Sequence, residues 1–372
     1  MRTKLQYPRR VVVRGVIKLA GRALGSIMAR PQITGLENLP TQGPLILVGN
    51  HVAVIEAGML AAYTPYPLEI MAAGDIPLDP RYAWMANLYG IIPIKRGTMD
   101  RDGMEQALSV LEQGGVVGLF PEGGIWETSL KQARAGVAWL SNKSQAPVIP
   151  IGFGGIEGAI SAMGRLRRPR LVMNIGKLMP PVSVDIPGKS RKEALADSAN
   201  LIMDQVTALI PEEERRIRLL PYLHERFEFR FILRNANGVE VETPPEMAIS
   251  DGWGLSKFFH RPVMLDVFMR NLRLPVSPLN QVRKQHSPHA VLTATAAVAG
   301  YLASNPYFFH YRFGNDEGSA MTRAITQLHE AATWLHTHHP DWTMRLKPIR
   351  RYTLRDTQQE IVEDEPSAVQ EI

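Results

Sequence analysis

The strongest constraint on the fold is an alternation of short apolar runs with amphipathic stretches between residues 45 and 176. Runs rich in Val, Ile and Leu are typical of buried strands, and the stretches between them have helical periodicity. Such alternation indicates an α/β layer structure that contains parallel strand pairs. The predicted strands are Leu45–Val48, Leu68–Met71, Val116–Phe120, Val148–Phe153 and Leu171–Ile175, and the predicted helices lie near 54–63, 79–88, 101–113, 130–141 and 190–210.

The length and composition bound the kind of molecule that this pattern can build. The chain of 372 residues is long enough for one large or two medium domains, and 45% hydrophobic with 21% charged residues is typical of a globular protein. The sequence contains no cysteine, which excludes thiol nucleophiles, disulfides and cysteine metal sites. The alternation ends near Pro211, so we expect an α/β domain over residues 31–211.

Residues beyond 211 have a different pattern. Phe227–Phe231 alternates like a half-buried strand, and Asn237-Gly238 is typical of a hairpin turn. Two helical patterns follow, near 289–303 and 320–336. We predict a smaller α+β region over residues 212–357, of unknown role, and a disordered acidic tail over residues 358–372.

The N-terminal segment, residues 1–30, carries the chain's excess of positive charge. It holds eight Arg and Lys residues and no acid, so with a net charge of +6 the rest of the chain carries about −2. A nucleic-acid-binding protein would not confine its basic residues in this way, and we expect no nucleic-acid partner. The cations at positions 10, 14, 18 and 22 fall on one face of a predicted amphipathic helix, where they interrupt any membrane span or secretory signal. We interpret this segment as an interfacial helix on anionic lipid; a surface helix packed on its own domain and a transit peptide are the alternatives.

A histidine and a carboxylate follow the first predicted strand. Asn50-His51 lies directly after Leu45–Val48, at the carboxyl end of a strand, where ligand sites concentrate in α/β sheets. Glu56 is five positions further on, an offset that turns the two side chains about 140° apart within one helix. They can meet only if His51 lies in the loop and Glu56 lies in the first helical turn. A neutral imidazole can then take a proton from a hydroxyl while the carboxylate holds its other N–H. The spacing alone also fits a capping Glu beside a hydrogen-bonded loop histidine.

Three further segments end predicted strands in the same chain order. Lys95 and Arg96 follow a short apolar run, Glu122 and two glycines follow Phe120-Pro121, and Val148 to Gly152 ends another run. A guanidinium and backbone amides beside a glycine are suited to binding phosphate. Taken singly, each segment also fits a surface cation or a simple turn.

Together these segments resemble the sequence blocks of the glycerolipid and lysophospholipid acyltransferase family, over about residues 31–211. The family's blocks are His-x4-Asp, Gly-x-x-x-Ile-x-Arg, Phe-Pro-Glu-Gly and Val-Ile-Pro. Here they are His51/Glu56, Gly90 to Arg96, Phe120 to Gly123, and Val148 to Pro150.

The resemblance implies both a fold and an activity. The fold is a mixed α/β sheet flanked by helices, preceded by the amphipathic N-terminal helix and followed by the smaller α+β region. The activity is transfer of a fatty acyl group from acyl-CoA or acyl-carrier protein to a lysophospholipid such as 1-acylglycerol-3-phosphate, in phospholipid biosynthesis. His51 would be the general base, oriented by Glu56, with no metal or other cofactor. The acceptor would be bound by Lys95, Arg96, Glu122, Gly123 and Gly124. The expected location is the cell membrane, peripheral on the cytoplasmic side.

Two departures from the family pattern keep other acceptors open. Glu56 stands where the family has Asp, and Gly124-Ile125-Trp126 follows Gly123 where the family commonly has Thr-Arg-Ser. The alternatives are an acyltransferase for another membrane alcohol, such as a glycolipid or aminolipid, and a non-catalytic lipid-binding scaffold.

Other patterns are interpreted more simply. Asp100 and Asp102 are expected to cap the helix near 101–113, and the glycine-rich run 152–158 has Glu157 where a dinucleotide loop needs its third glycine. A run of arginines at 165, 167, 168 and 170 indicates a solvated loop, with contact to lipid headgroups or a carrier protein as the alternative.

Overall fold

The computed structural model describes most of the chain in ranges separated by gaps. The described residues are 4–51, 53–74, 80–95, 100–121, 135–215, 222–249, 272, 284–304 and 315–364. Contacts within the chain define two compact units, of which the first comprises Met1–Asp75 with Trp84–Ile217 and the second Ile76–Ala83 with Arg218–Ile372.

The first unit is built on a seven-stranded sheet. In chain order its strands are β1 Arg30–Thr34, β2 Leu45–Gly49, β3 Glu69–Ala73, β4 Ile92–Ile94, β5 Val116–Leu119, β6 Val148–Gly154 and β7 Arg170–Ile175. The spatial order is β1-β7-β6-β2-β5-β3-β4. Neighbouring strands are parallel except β6 and β7, which are antiparallel. The predicted α/β layer structure with parallel pairs is confirmed.

Helices cover this sheet and connect its strands. They are α1 Val11–Met28, α2 Ile55–Tyr63, α3 Pro80–Tyr89, α4 Arg101–Glu112, α5 Gly136–Ser144, α6 Ala159–Gly164, α7 Arg191–Leu209 and α8 Glu212–Arg215. The expected cap of α4 is present, since the Asp100 side chain accepts a hydrogen bond from the Gly103 N–H at 3.2 Å.

The position of β2 inside the sheet explains why its sequence is continuously apolar. Leu45 and Leu47 pack into the hydrophobic core on one face of the sheet, together with Leu60 of α2. Ile46 and Val48 pack into a second core on the other face. A strand buried on both faces needs no polar positions, which is typical of parallel sheets under helices.

The first strand, β1, was missed in the sequence. Pro31 suggests the end of a helix, but α1 ends at Met28 and Pro31 lies within β1 at the edge of the sheet, where it pairs with β7. Proline is tolerated there because an edge strand leaves one side of its backbone without a partner. The helix α6 was also not predicted, whereas β4 is the short apolar run expected before Lys95.

The N-terminal helix α1 belongs to the first unit and docks on it through a buried ion pair. The Arg14 guanidinium donates to the two carboxylate oxygens of Glu69 at 2.6 and 2.8 Å, and both side chains are buried. Arg9 donates to the same carboxylate at 2.8 Å. Tyr89 packs its ring 4.7 Å below the Arg14 guanidinium, and burial raises the pKa of its phenol. The two arginines compensate the negative charge of the Glu69 carboxylate, which would be costly to bury without a partner.

The remaining cations of the row bind carbonyl oxygens at the ends of neighbouring helices. Lys18 donates to the Thr64 carbonyl at 2.5 Å and Arg22 donates to the Ala62 carbonyl at 2.6 Å, both at the end of α2. Arg10 donates in the same way to the last turn of α3. The end of a helix has carbonyls without helical partners and a partial negative charge, so cations stabilise it.

The face of α1 that points away from the protein is apolar. Its exposed large side chains are Val11, Val12, Val16, Leu19, Leu24 and Ile27. We call Val12, Val16, Leu19 and Ile27 the outer stripe of α1. The row of cations therefore contacts the domain itself, as in the alternative of a surface helix packed on its own domain, and contact of the helix with anionic lipid stays a prediction. Among the described residues, no helix combines the length and the apolar character needed to cross a bilayer.

The second unit has its own antiparallel sheet. Its strands are β8 Tyr222–Arg234, β9 Glu240–Val241, β10 Thr343–Leu354 and β11 Glu360–Asp364, in the spatial order β11-β10-β8-β9. Two helices, α9 Pro288–Ser304 and α10 Asn315–His338, pack on each other. The predicted hairpin is confirmed as the antiparallel pair β8–β9, with Gly238 at a φ of 77°.

The predicted disorder of the tail over residues 358–372 is wrong for Glu360–Asp364. These residues form β11, which pairs with β10, and the acids meet cations across the strands. Asp364 lies 2.9 Å from the Lys347 ammonium, and Glu363 lies 3.2 Å from the Arg350 guanidinium. The acidic run is ordered because cations on the neighbouring strand β10 neutralise it, and a local sequence pattern does not reveal such partners.

Candidate active site

His51 and Glu56 lie in the arrangement that their spacing requires if the two side chains are to meet. His51 lies in the loop after β2, and Glu56 lies in the first turn of α2. The distance from His51 Nδ1 to Glu56 Oε1 is 3.8 Å, which is an electrostatic contact but too long for a direct hydrogen bond. The His51 side chain is 18% exposed whereas Glu56 is completely buried. One edge of the imidazole therefore faces a buried carboxylate while part of the ring remains accessible.

Glu56 is held by the backbone of the same loop. Both of its carboxylate oxygens accept the N–H of Ala53, at 2.9 and 3.1 Å. This bond fixes a negative charge at the N-terminus of α2, where the helix dipole favours it. The longer glutamate side chain folds back over the loop, so the extra methylene relative to aspartate still leaves the carboxylate beside His51.

An aromatic ring covers one face of the imidazole. Phe120, directly after β5, stacks on His51 with a centroid distance of 4.2 Å and an interplanar angle of 16°. Phe153 of β6 supports Phe120 at 6.3 Å in a tilted arrangement. Gly49 makes room for both phenyl rings, since a Cβ there would lie 2.6 Å from Phe153 and 3.3 Å from Phe120.

Asn50 ties the ends of β2 and β6 together. Its side-chain amide donates to the Phe153 carbonyl at 3.1 Å, and its carbonyl oxygen accepts the Phe153 N–H at 2.7 Å. Asn50 is buried, so both bonds form away from water. Three strand ends, those of β2, β5 and β6, therefore fix the position of His51. The sequence alone pointed to the strand ends but not to Asn50, because its partner is 103 residues away.

The predicted acceptor-binding residues are only partly described. Lys95 lies directly after β4 with its side chain exposed, and its backbone N–H donates to the Asp100 carboxylate at 2.7 Å. Lys95 shares the edge of the sheet with His51, but β4 is three strands from β2, a separation of about 14 Å. Arg96, Glu122, Gly123 and Gly124 lie outside the described residues. Within the described ranges no group of three or more metal-binding side chains is assembled.

Comparisons with known proteins agree with the sequence blocks. The family model described as Acyltransferase matches residues 30–154. A protein of Bacillus subtilis (strain 168) named 1-acyl-sn-glycerol-3-phosphate acyltransferase is 21% identical over 179 residues, which are 47% of this chain and 87% of that protein. A protein of Borreliella burgdorferi with the same name is 27% identical over 93 residues, covering 24% of this chain and 37% of that protein.

One solved structure is also similar. It is the 1-acyl-sn-glycerophosphate (LPA) acyltransferase PlsC from Thermotoga maritima, with 17% sequence identity and a TM-score of 0.40 over 55% of this chain and 85% of that one. The matched family model includes His51, Glu56 and Phe120, the residues that meet at the carboxyl edge of the sheet. The chain is an O-acyltransferase that resembles the glycerolipid acyltransferases, and residues 30–154 are the part that matches the family model.

Proposed function

We propose that the enzyme transfers a fatty acyl group from acyl-CoA or acyl-carrier protein to the free hydroxyl of a lysophospholipid that resembles 1-acylglycerol-3-phosphate. The observation that carries the proposal is the setting of His51. Its imidazole faces the buried Glu56 carboxylate with Nδ1 and is stacked on Phe120. The names of the relatives from Bacillus subtilis and Borreliella burgdorferi support the choice of acceptor.

The proposed chemistry is direct transfer assisted by a general base. Neutral His51 takes the acceptor's hydroxyl proton through Nε2 while the hydroxyl oxygen attacks the carbonyl carbon of the thioester. Glu56 stabilises the imidazolium that forms. The C–S bond then breaks, and the leaving thiolate takes up the proton to give the free thiol. The reaction needs no nucleophilic residue, which agrees with the absence of cysteine.

We propose that Lys95 contributes to binding the acceptor's phosphate, together with Arg96 and the segment Glu122 to Gly124. Lys95 is exposed at the same sheet edge as His51, and the bond from its N–H to Asp100 fixes the backbone at that point. An acyl glycerol phosphate extends over several ångströms, so a phosphate site some distance from the base is compatible with its size.

We further propose that the enzyme is peripheral on the cytoplasmic side of the cell membrane. The outer stripe of α1 supports this location, because four large apolar side chains at helical spacing face away from the protein. The attraction in this proposal is hydrophobic, since the row of cations on α1 is bound by the domain itself.

The test is an acyl-transfer panel with labelled donors. Acyl-CoA and acyl-carrier protein are each offered with 1-acylglycerol-3-phosphate, with another lysophospholipid and with an uncharged membrane alcohol. We expect product with the lysophospholipids and the highest kcat/KM with 1-acylglycerol-3-phosphate. A preference for the uncharged alcohol would contradict the proposed acceptor, and the absence of product with every donor and acceptor would contradict acyl transfer to lipids.

A further inference from the structure

The run of four arginines between α6 and β7 is divided by the structure into two pairs. Arg168 donates to the Ser26 carbonyl at 2.8 Å and so contacts the last turn of α1. Arg170 donates to Gln32 at 2.7 Å and pairs with Glu213 at 3.1 Å. These two arginines are used within the first unit.

The other two arginines, Arg165 and Arg167, are directed to solvent. Both are exposed, and their side chains form no hydrogen bond or ion pair with any residue that the structure describes. Between them lies Leu166, whose side chain is 73% exposed. An exposed leucine between two exposed cations combines apolar and basic groups at one point of the surface.

Two hydrogen bonds fix the backbone around Leu166. The N–H of Leu166 donates to the Met163 carbonyl at 2.9 Å, and that of Arg167 donates to the Ala162 carbonyl at 2.9 Å. This is a Schellman motif, which ends α6 with Leu166 in the left-handed position, at a φ of 55°. Glycine is the usual residue in this conformation. The Leu166 side chain is exposed, so no burial in the core compensates for the unfavourable backbone conformation.

The position of this turn relates it to the active site. Strands β6 and β7 are antiparallel, so the start of β7 lies beside the end of β6, whose Phe153 is bonded to Asn50. β7 is two strands from β2, about 10 Å away, so the turn lies at the edge of the sheet that carries His51. Arg168 also connects the turn to the end of α1, near Ile27 of the outer stripe.

We infer that Arg165, Leu166 and Arg167, which we call the arginine turn, contact the surface of an anionic phospholipid bilayer together with the outer stripe of α1. The two guanidinium groups bind lipid phosphates, and Leu166 enters the apolar layer beneath the headgroups. A bilayer offers anions above an apolar layer, which matches cations beside exposed apolar side chains on two connected elements. This inference rests on the proposed function, and it directs the His51 edge of the sheet toward the lipid.

The first experiment measures partition of the full-length protein onto vesicles by sedimentation. Vesicles of phosphatidylcholine are compared with vesicles that also contain phosphatidylglycerol. We expect Arg165→Glu with Arg167→Glu to weaken partition onto the anionic vesicles by about tenfold or more. The matched control reverses two other exposed cations of the same unit, Arg191→Glu with Lys192→Glu, and is expected to change partition by less than about threefold. Equal losses in the two double variants, or none in the first, would overturn the inference.

The second experiment isolates Leu166 without risk to folding. Leu166→Gly removes the side chain at a position whose backbone conformation glycine prefers, so the melting temperature should stay the same or rise. Partition onto both kinds of vesicle should nevertheless fall severalfold. Unchanged partition by Leu166→Gly would overturn the role of Leu166, and loss of binding to acyl-carrier protein alone would assign the turn to a protein partner instead. The vesicle assays need no turnover, so their outcome is independent of acyl transfer.

Discussion

At the scale of single residues, the imidazole of His51 is fixed by one carboxylate and one aromatic ring. Glu56 faces Nδ1, and the Phe120 ring lies 4.2 Å from the imidazole ring centre to centre. A phenyl face attracts the imidazolium that forms when the base takes a proton, and it prevents rotation of the ring away from Glu56. Phe120 is therefore expected to act as a positioning residue for His51.

Replacing the ring of Phe120 tests this role. Phe120→Leu keeps an apolar side chain but removes the stacked face, and we expect kcat to fall by about tenfold, the equivalent of about 1.4 kcal/mol. Phe120→Tyr keeps the ring and should retain most of the activity. The measurement is kcat at saturating acceptor for both variants. Equal rates for leucine and tyrosine at this position would show that stacking contributes nothing.

The tie between Asn50 and Phe153 is expected to matter for stability. Asn50→Ala leaves the Phe153 N–H and carbonyl buried without their partners, so we expect a loss of about 2–4 kcal/mol in the free energy of unfolding. Urea denaturation of the wild type and the variant measures this loss. A difference below about 0.5 kcal/mol would mean that water or another group replaces the side chain.

The sequence predicted the candidate site only in part. The position of His51 after a strand and the five-residue offset of Glu56 are local, and their placement was correct. The contacts of Asn50 and Phe120 join strands that are distant in the chain, so no local pattern indicated them. Lys95 was placed at the correct sheet edge because β4 is parallel to its neighbour β3.

At the scale of elements, α1 is an amphipathic helix whose basic face, and not its apolar face, packs on the domain. Its basic side chains bind Glu69 and the ends of α2 and α3, and its apolar outer stripe faces solvent. Periodicity identified the helix and its two faces correctly. It could not indicate which face packs on the domain, because that depends on carbonyls at helix ends and on one buried acid.

The buried acid Glu69 is expected to be essential for docking α1. Glu69→Gln removes the negative charge between Arg9 and Arg14 and leaves a buried guanidinium uncompensated, which should cost about 3–5 kcal/mol of stability. The free energy of unfolding measures the effect, and Glu37→Gln, at an exposed position of the same unit, is the control. If both variants were equally stable, the ion pair would not be what holds the helix.

The two edge strands missed in the sequence share a physical cause. The strands β1 and β11 contain a proline and several acids, residues that disfavour strands by local preference. Each is held at a sheet edge by pairing with one longer strand, β7 or β10. Edge strands of this kind depend on tertiary contacts more than on their own composition.

At the scale of the whole molecule, the chain consists of two units, and the described residues of the candidate site all lie in the first. The second stretch of the first unit ends at Ile217, and the predicted end of the α/β domain at residue 211 precedes the change from one sheet to the other. The role of the second unit was not indicated by its sequence. Its residues 218–372 include a four-stranded sheet of their own.

A substitution in the second unit tests whether the chemistry is confined to the first. Arg350 pairs with Glu225 at 2.6 Å and with Glu363 at 3.2 Å, and its side chain is mostly buried. Arg350→Ala leaves two acids facing each other and should lower the stability of this unit by about 2 kcal/mol or more. At temperatures where the variant is folded, kcat should remain within about twofold of the wild type. A large loss of kcat in the folded variant would assign the second unit a part in the reaction.

The central claim is that His51 removes the acceptor's proton, and the most direct measurement is the transfer rate of His51→Ala with and without added imidazole. The account predicts a loss of about 10²–10⁴-fold in kcat, with a melting temperature like that of the wild type and partial recovery of the rate as imidazole is added. A folded variant whose rate stays within about twofold of the wild type would contradict it.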